Sequence, residues 1–91
     1  MEEEHYGVFS FASTHHAIAA ERALLQTDGT RLIPVPPEIS AGCGLALRTE
    51  ETGIKTVAGI LAAELIPYEG LYRLTIKDKQ RTIGKIEDDL L

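Results

Sequence analysis

The sequence predicts an α+β fold. Stretches alternating with a period of two are interrupted twice by stretches of helical period, capping and stop residues stand at the switch points, and 91 residues can build one core but not two. Residues Tyr6 to Phe11 are rich in aromatic and β-branched types, with Gly7, Phe9 and Phe11 on one face, which suits a first strand. At Ser13-Thr14 the period changes. Ala17, Ile18, Ala20, Leu24 and Leu25 share one helical stripe, Ser13 or Thr14 can cap it, and Asp28-Gly29 stops it, giving a helix from about Thr14 to Thr27. Arg31 to Val35 is a short apolar strand whose Pro34 lacks a ladder donor and so belongs at a sheet edge or strand end.

The segment Pro36 to Gly44 carries Pro36, Pro37, Gly42 and Gly44, too short for a domain linker and punctuated like a shaped loop. Leu45 to Arg48 resumes an extended apolar pattern. Thr49-Glu50-Glu51 then supplies a cap with carboxylates in the first turn, where the helix dipole favours them. Ile54, Val57, Leu61 and Leu65 repeat at helical spacing until Pro67 ends the helix. Leu71 to Lys77 alternates as a last core strand, and beyond Asp78 the sequence reads as a charged tail, 78–91, on a single domain whose core spans about 5–77. This order, strand, helix, strand, strand, helix, strand, is met by a ferredoxin-like βαββαβ sandwich: a four-stranded antiparallel sheet of order 4-1-3-2 with both helices on one face.

Charge and composition exclude several classes. The net charge is −5, yet six of the 14 acids lie near the ends (Glu2, Glu3, Glu4, Glu87, Asp88 and Asp89), so the rest nearly balance the nine Lys and Arg and the ends read as solvated tails. The longest nearly uncharged run, Ile33 to Leu47, contains Glu38, three prolines and two glycines, short of the roughly 18 to 20 apolar residues of a membrane span. The Met-Glu-Glu-Glu start is the reverse of a cationic signal region, and the expectation is a cytoplasmic protein. Five of the nine cations, Arg73, Lys77, Lys79, Arg81 and Lys85, fall near the C-terminus, but Cys43 to Arg48 lacks the strand aromatics of an RNA-recognition sheet, so nucleic acid is not the expected partner. No nucleophile elbow or phosphate loop is present.

One cysteine, Cys43, rules out an internal disulfide and any Cys-x-x-Cys pair. His15 and His16 point about 100° apart on a helix and only His5 and Cys43 could complete a metal site, so neither metal nor cofactor is expected. The topology gives Cys43 its interest. With the first two strands parallel and the third running back between them, the turn Ala12 to His15, the loop before Cys43 and the exit Pro67 to Gly70 gather at one sheet edge. Cys43 then stands beside the start of the first helix, whose unpaired N–H groups favour a negatively charged sulfur. Gly42 and Gly44 would let successive amides turn toward that sulfur and leave room for a second atom on it, and a protonated His15 could add charge.

The segments FASTHHAIAAERALL, IPVPPEISAGCGLALR and ILAAELI resemble the small bacterial and archaeal selenium/sulfur carrier-like family. The resemblance rests on Phe11 to His15, on Ile33 to Pro36, Ile39-Ser40 and Cys43 to Leu45, and covers about Tyr6 to Tyr72. Pro37 stands where the family pattern usually has Arg, which removes a cation from the loop. The resemblance implies a carrier rather than an enzyme: Cys43 holds sulfur or selenium as a persulfide or selenosulfide and passes it from a donor protein to an acceptor protein. Gly42, Gly44, Ser13, Thr14, His15, Ser40 and Pro36 are the residues expected around it. The alternative is an interaction or ligand-sensing module with a structural Cys43. In that reading the helix-free sheet face, with Tyr6, Val8 and Leu74, is covered by a second copy in a homodimer.

Overall fold

A computed structural model of the chain describes residues 3–87. Glu2, Asp88 and Asp89, read above as parts of solvated acidic ends, lie outside the described residues together with the last positions of the expected tail. The elements are β1 (Glu3–Ser10), α1 (Thr14–Ala23), β2 (Arg31–Pro34), β3 (Leu45–Glu50), a 3-10 turn (Glu51–Gly53), α2 (Ile54–Ala63), β4 (Gly70–Lys77) and β5 (Gln80–Lys85). They form an α+β domain with one antiparallel sheet of order β2-β3-β1-β4-β5.

The sheet has five strands, not the expected four. Residues 80–85, read from the sequence as charged tail, fold back on β4 with Ile83 opposite Leu74 and Gln80 opposite Lys77. Asp78 and Lys79 make the turn at φ 53° and 68°, the left-handed pair that two-residue hairpins need to match strand twist. Lysine is a poor signal for such a turn, and Ile83 is the one large apolar residue of β5, so neither turn chemistry nor alternation marks the strand.

Element boundaries move for local reasons. Ser13 caps α1, its Oγ accepting the His16 N–H at 3.3 Å. Helix α1 ends at Ala23 rather than Thr27, and of the expected stripe Ile18 and Leu25 are exposed while Ala17, Ala20 and Leu24 are buried. Thr49 is not a helix cap but a buried β3 residue opposite Gly7, and α2 begins only after the 3-10 turn.

Phe9, Leu47 and Leu71 from the sheet meet Ala17, Ala20 and Leu24 of α1 and Ile54, Val57 and Leu61 of α2, so both helices lie on the same face. Ile54 sits directly on the β1 backbone. A Cβ on Gly7 would collide with Ile54 Cγ1 and approach its Cδ1 at 2.8 Å, so the position needs glycine for space.

Among the described residues the opposite face has no helix, yet part of it is buried. Val8, Ala46 and Leu74 are buried there against Ile39, which comes from the loop between β2 and β3. That loop is clasped to the far side of the sheet by Glu38, whose carboxylate accepts both Arg81 Nε and Nη2 at 3.1 Å. Toward the β3 side, the Arg48 guanidinium stacks 4.3 Å over the Tyr6 ring. Val8 and Leu74, two of the three residues expected above to await a second copy, are buried by the chain itself, while Tyr6 stays partly exposed.

Two predictions follow from this packing. Gly7→Ala is expected to cost about 1 to 3 kcal/mol in urea denaturation, and less when combined with Ile54→Ala than the two single costs added, because the second change removes the colliding atoms. Ile39→Ala is expected to cost about 2 to 4 kcal/mol, whereas Arg81→Ala, breaking a solvent-exposed pair, costs below about 1 kcal/mol. Equal losses for Ile39→Ala and Arg81→Ala would show that the clasp, not the apolar contact, holds the loop.

Candidate functional site

The loop that covers part of the helix-free face also carries the cysteine. It leaves β2 with the Val35 N–H donating to the Gly44 carbonyl at 3.0 Å, then turns where the Ile39 N–H donates to the Pro36 carbonyl at 2.9 Å. Pro36 is buried in this turn and Ser40 is exposed after it. The chain then crosses the sheet edge at Gly42. A Cβ there would collide with the Ala12 carbonyl oxygen and lie 3.0 Å from Ala12 Cα, so only glycine lets the loop seat on the turn between β1 and α1.

Three segments meet at this rim. The Gly42 N–H donates to Glu69 Oε1 at 3.1 Å, the Glu69 N–H donates to the Ser10 carbonyl at 2.6 Å, and the Ser10 hydroxyl donates to the Gly70 carbonyl at 3.4 Å. The loop before Cys43, the end of β1 and the approach to β4 are thereby tied together. Tyr68 next to them packs edge-on against Phe9, 4.9 Å between ring centroids, and covers the core.

Cys43 is half-buried, with its apolar side against the main core. One residue holds its sulfur: the Leu45 N–H donates to Sγ at 3.5 Å, and the thiol can donate to the Leu45 carbonyl at 3.3 Å. The expected gathering of amides is smaller than the sequence suggested. Gly42 and Gly44 do not take the left-handed backbone, which among the described glycines belongs to Gly29 at φ 85°. The Gly42 amide is engaged by Glu69, so Leu45 supplies the backbone N–H on Sγ. Gly44 contributes space: a Cβ there would meet no atom within 4 Å beyond its own chain neighbours.

Three of the remaining expected residues lie at the start of α1. Ser13 and Thr14 follow Ala12 at the start of α1, where the Ser13 hydroxyl is occupied as the cap. His15 is exposed on the first turn, its ring centroid 5.9 Å from that of His16. His16 Nδ1 is buried without a hydrogen-bond partner among the described residues. Glu69 was missed as a site residue, because in the sequence Glu69-Gly70 signals only a turn. Among the described residues no three His, Cys, Asp or Glu side chains gather where a metal could bind, and no helix is long and apolar enough to cross a membrane.

Gly42→Ala is expected to lift the loop off Ala12, lower stability by about 1 to 3 kcal/mol and change the rate at which iodoacetamide alkylates Cys43. Gly44→Ala, with open space around it, should alter stability by less than about 1 kcal/mol, its cost being the backbone alone. A benign Gly42→Ala would mean that the Ala12 contact does not seat the loop.

No curated protein and no solved structure matches the sequence. One family model does, over residues 6–73, a span that runs from β1 into β4 and includes Cys43, Ala12 and Glu69 but ends before β5. On that match the chain belongs to the family described as "Putative Se/S carrier protein-like".

Proposed function

We propose that the protein carries sulfur or selenium on Cys43 as a persulfide or selenosulfide, and passes it from a donor protein to an acceptor protein in the cytoplasm. The observation that carries this reading is the position of the chain's one sulfhydryl. It is half-buried on a loop at the sheet rim, beside a glycine with free space around it and with a backbone N–H directed at the sulfur. Family membership supports the general carrier role.

The chemistry is an exchange with no net oxidation. The Cys43 thiolate attacks the terminal sulfur of a donor persulfide, the donor S–S bond breaks, the donor thiolate leaves, and a new S–S bond is made on Cys43. An acceptor thiolate reverses the step. A single thiol suits this traffic, because a second one in reach would expel the cargo as an internal disulfide. Gly44 leaves room for the additional atom, Leu45 N–H is a donor to the sulfur, and Gly42 holds the loop at the rim. Ser13, Thr14, His15, Ser40 and Pro36 are assigned to the surface that a donor or acceptor meets. The strand order and the two helices on one face support a ferredoxin-like βαββαβ unit extended by β5.

Incubation with a cysteine desulfurase and cysteine under anaerobic conditions is expected to add about 32 Da, the mass of one sulfur, to the intact protein and nothing to Cys43→Ser. Reduction with a thiol should remove it. The variant should stay folded, losing no more than about 1 kcal/mol for a half-buried group. A wild-type protein that acquires no added mass would refute the carrier reading.

A further inference from the structure

Helix α2 ends in a turn that ordinarily calls for glycine. The Ile66 N–H donates to the Leu61 carbonyl at 2.9 Å and the Leu65 N–H to the Ala62 carbonyl at 3.1 Å, the paired return of a helix whose next residue turns left-handed. That residue is Leu65, at φ 59°. A Cβ is strained in this conformation, which is why glycine, having none, usually fills it. Leu65 recovers nothing inside the domain, because its side chain is 88% exposed. The apolar contact that closes the turn comes instead from Ile66, packed against the main core to which Leu61 belongs.

Leu65 shares one apolar hollow with Ala62, Ile66, Pro67 and the buried Leu61. The hollow borders the thiol's rim: Glu69, four residues beyond Leu65 and so within about 14 Å of it along the chain, accepts the Gly42 N–H beside Cys43. The charge here has one sign. From Thr56 to Tyr72 the sequence holds no Lys or Arg, only Glu64 and Glu69, both exposed, and the C-terminal pole of α2 adds partial negative charge. Lys55 stands at the other end of α2, about 15 Å along its axis and beyond the screening length of about 8 Å. Arg22 is in the last turn of α1, away from the rim where α1 begins, Arg73 is held by Glu51, and Lys85 is in register with Tyr72 on the helix-free face.

We propose that the exit of α2 is the docking surface for the protein that exchanges sulfur or selenium with Cys43, a partner presenting an apolar socket for Leu65 ringed by Lys and Arg side chains. The inference rests on the carrier reading and names the chemistry of that partner. Donor and acceptor must reach the same thiol, so one surface serves each in turn. A second copy of this chain does not fit, since it would bring Glu64 and Glu69 of both copies together, and nucleic acid carries phosphates of the same sign.

The test compares loading of Cys43 by a cysteine desulfurase, a protein donor, with loading by glutathione persulfide, which needs no docking surface. Leu65→Gly is expected to raise the melting temperature by about 2 to 5 °C, because the left-handed turn is relieved, and yet to slow loading by the desulfurase about tenfold. Glu64→Lys should slow it severalfold and flatten its dependence on salt. Both variants should take sulfur from glutathione persulfide at the wild-type rate. A second readout does not need the thiol: in Cys43→Ser, an amphipathic Leu/Lys peptide should give saturable amide shifts confined to Leu61–Glu69, and its Leu/Glu counterpart none. Absence of sulfur on Cys43 from either source, with the peptide shifts as expected, would sink the carrier reading and leave the docking surface standing. Wild-type loading of Leu65→Gly by the desulfurase, equal slowing with glutathione persulfide, peptide shifts scattered over the surface, or a wild-type dimer in sedimentation that Leu65→Gly dissolves would each overturn the proposal.

Discussion

Gly42 lies with its backbone against the Ala12 carbonyl, a contact that admits no side chain, and this is where the β2–β3 loop passes from one face of the sheet to the other. Before that point the loop lays Ile39 on Val8, Ala46 and Leu74. Immediately after it comes Cys43, which leans on the opposite core. One close approach thus sets both the cover of the second face and the seat of the sulfur. Whatever loosens Ile39 from its apolar neighbours also frees the loop that carries the thiol.

The loop takes this role because a five-stranded sheet has two faces and the described residues form two ten-residue helices, both on the same side. A small domain cannot leave Val8 and Leu74 in water, since apolar burial is the main favourable term and each such side chain contributes about 1.5 to 3 kcal/mol. Pro36 and Pro37 restrict the loop's freedom before it lies down, which lowers the entropy lost on ordering it. Glu38 reaching Arg81 adds little energy of its own, both groups being roughly two-fifths exposed, but it gives the loop a defined register on the sheet.

Charge is arranged locally rather than globally. At the Cys43 rim the ionised group in contact with the loop is Glu69, held by the Gly42 amide. Beside α2 the Glu51 carboxylate accepts from Arg73 Nε, an exposed pair between the 3-10 turn and β4. The two places use different elements: the rim joins the end of β1 and the start of β3 to the approach to β4, whereas the Glu51–Arg73 pair ties the 3-10 turn to the middle of β4.

The amphipathic patterns of Phe9 and Phe11, Ala17 to Leu24, and Ile54 to Leu61 were legible because period and caps are local properties, and they determined the α+β class and most of the core. The sequence also determined that any sulfur chemistry falls on one residue, in a glycine-flanked loop of a recognisable family. It did not mark β5, whose turn is Asp-Lys and whose strand has one large apolar residue, because strand formation there comes from pairing with β4 rather than from its own pattern. Nor did it reveal that Gly42 serves close approach and not unusual backbone angles, that Glu69 engages its amide, or that Ile39 covers part of the second face. Those are relations between residues far apart in the chain, as Gly42 and Glu69 are, and only the assembled sheet brings them within hydrogen-bond or van der Waals reach.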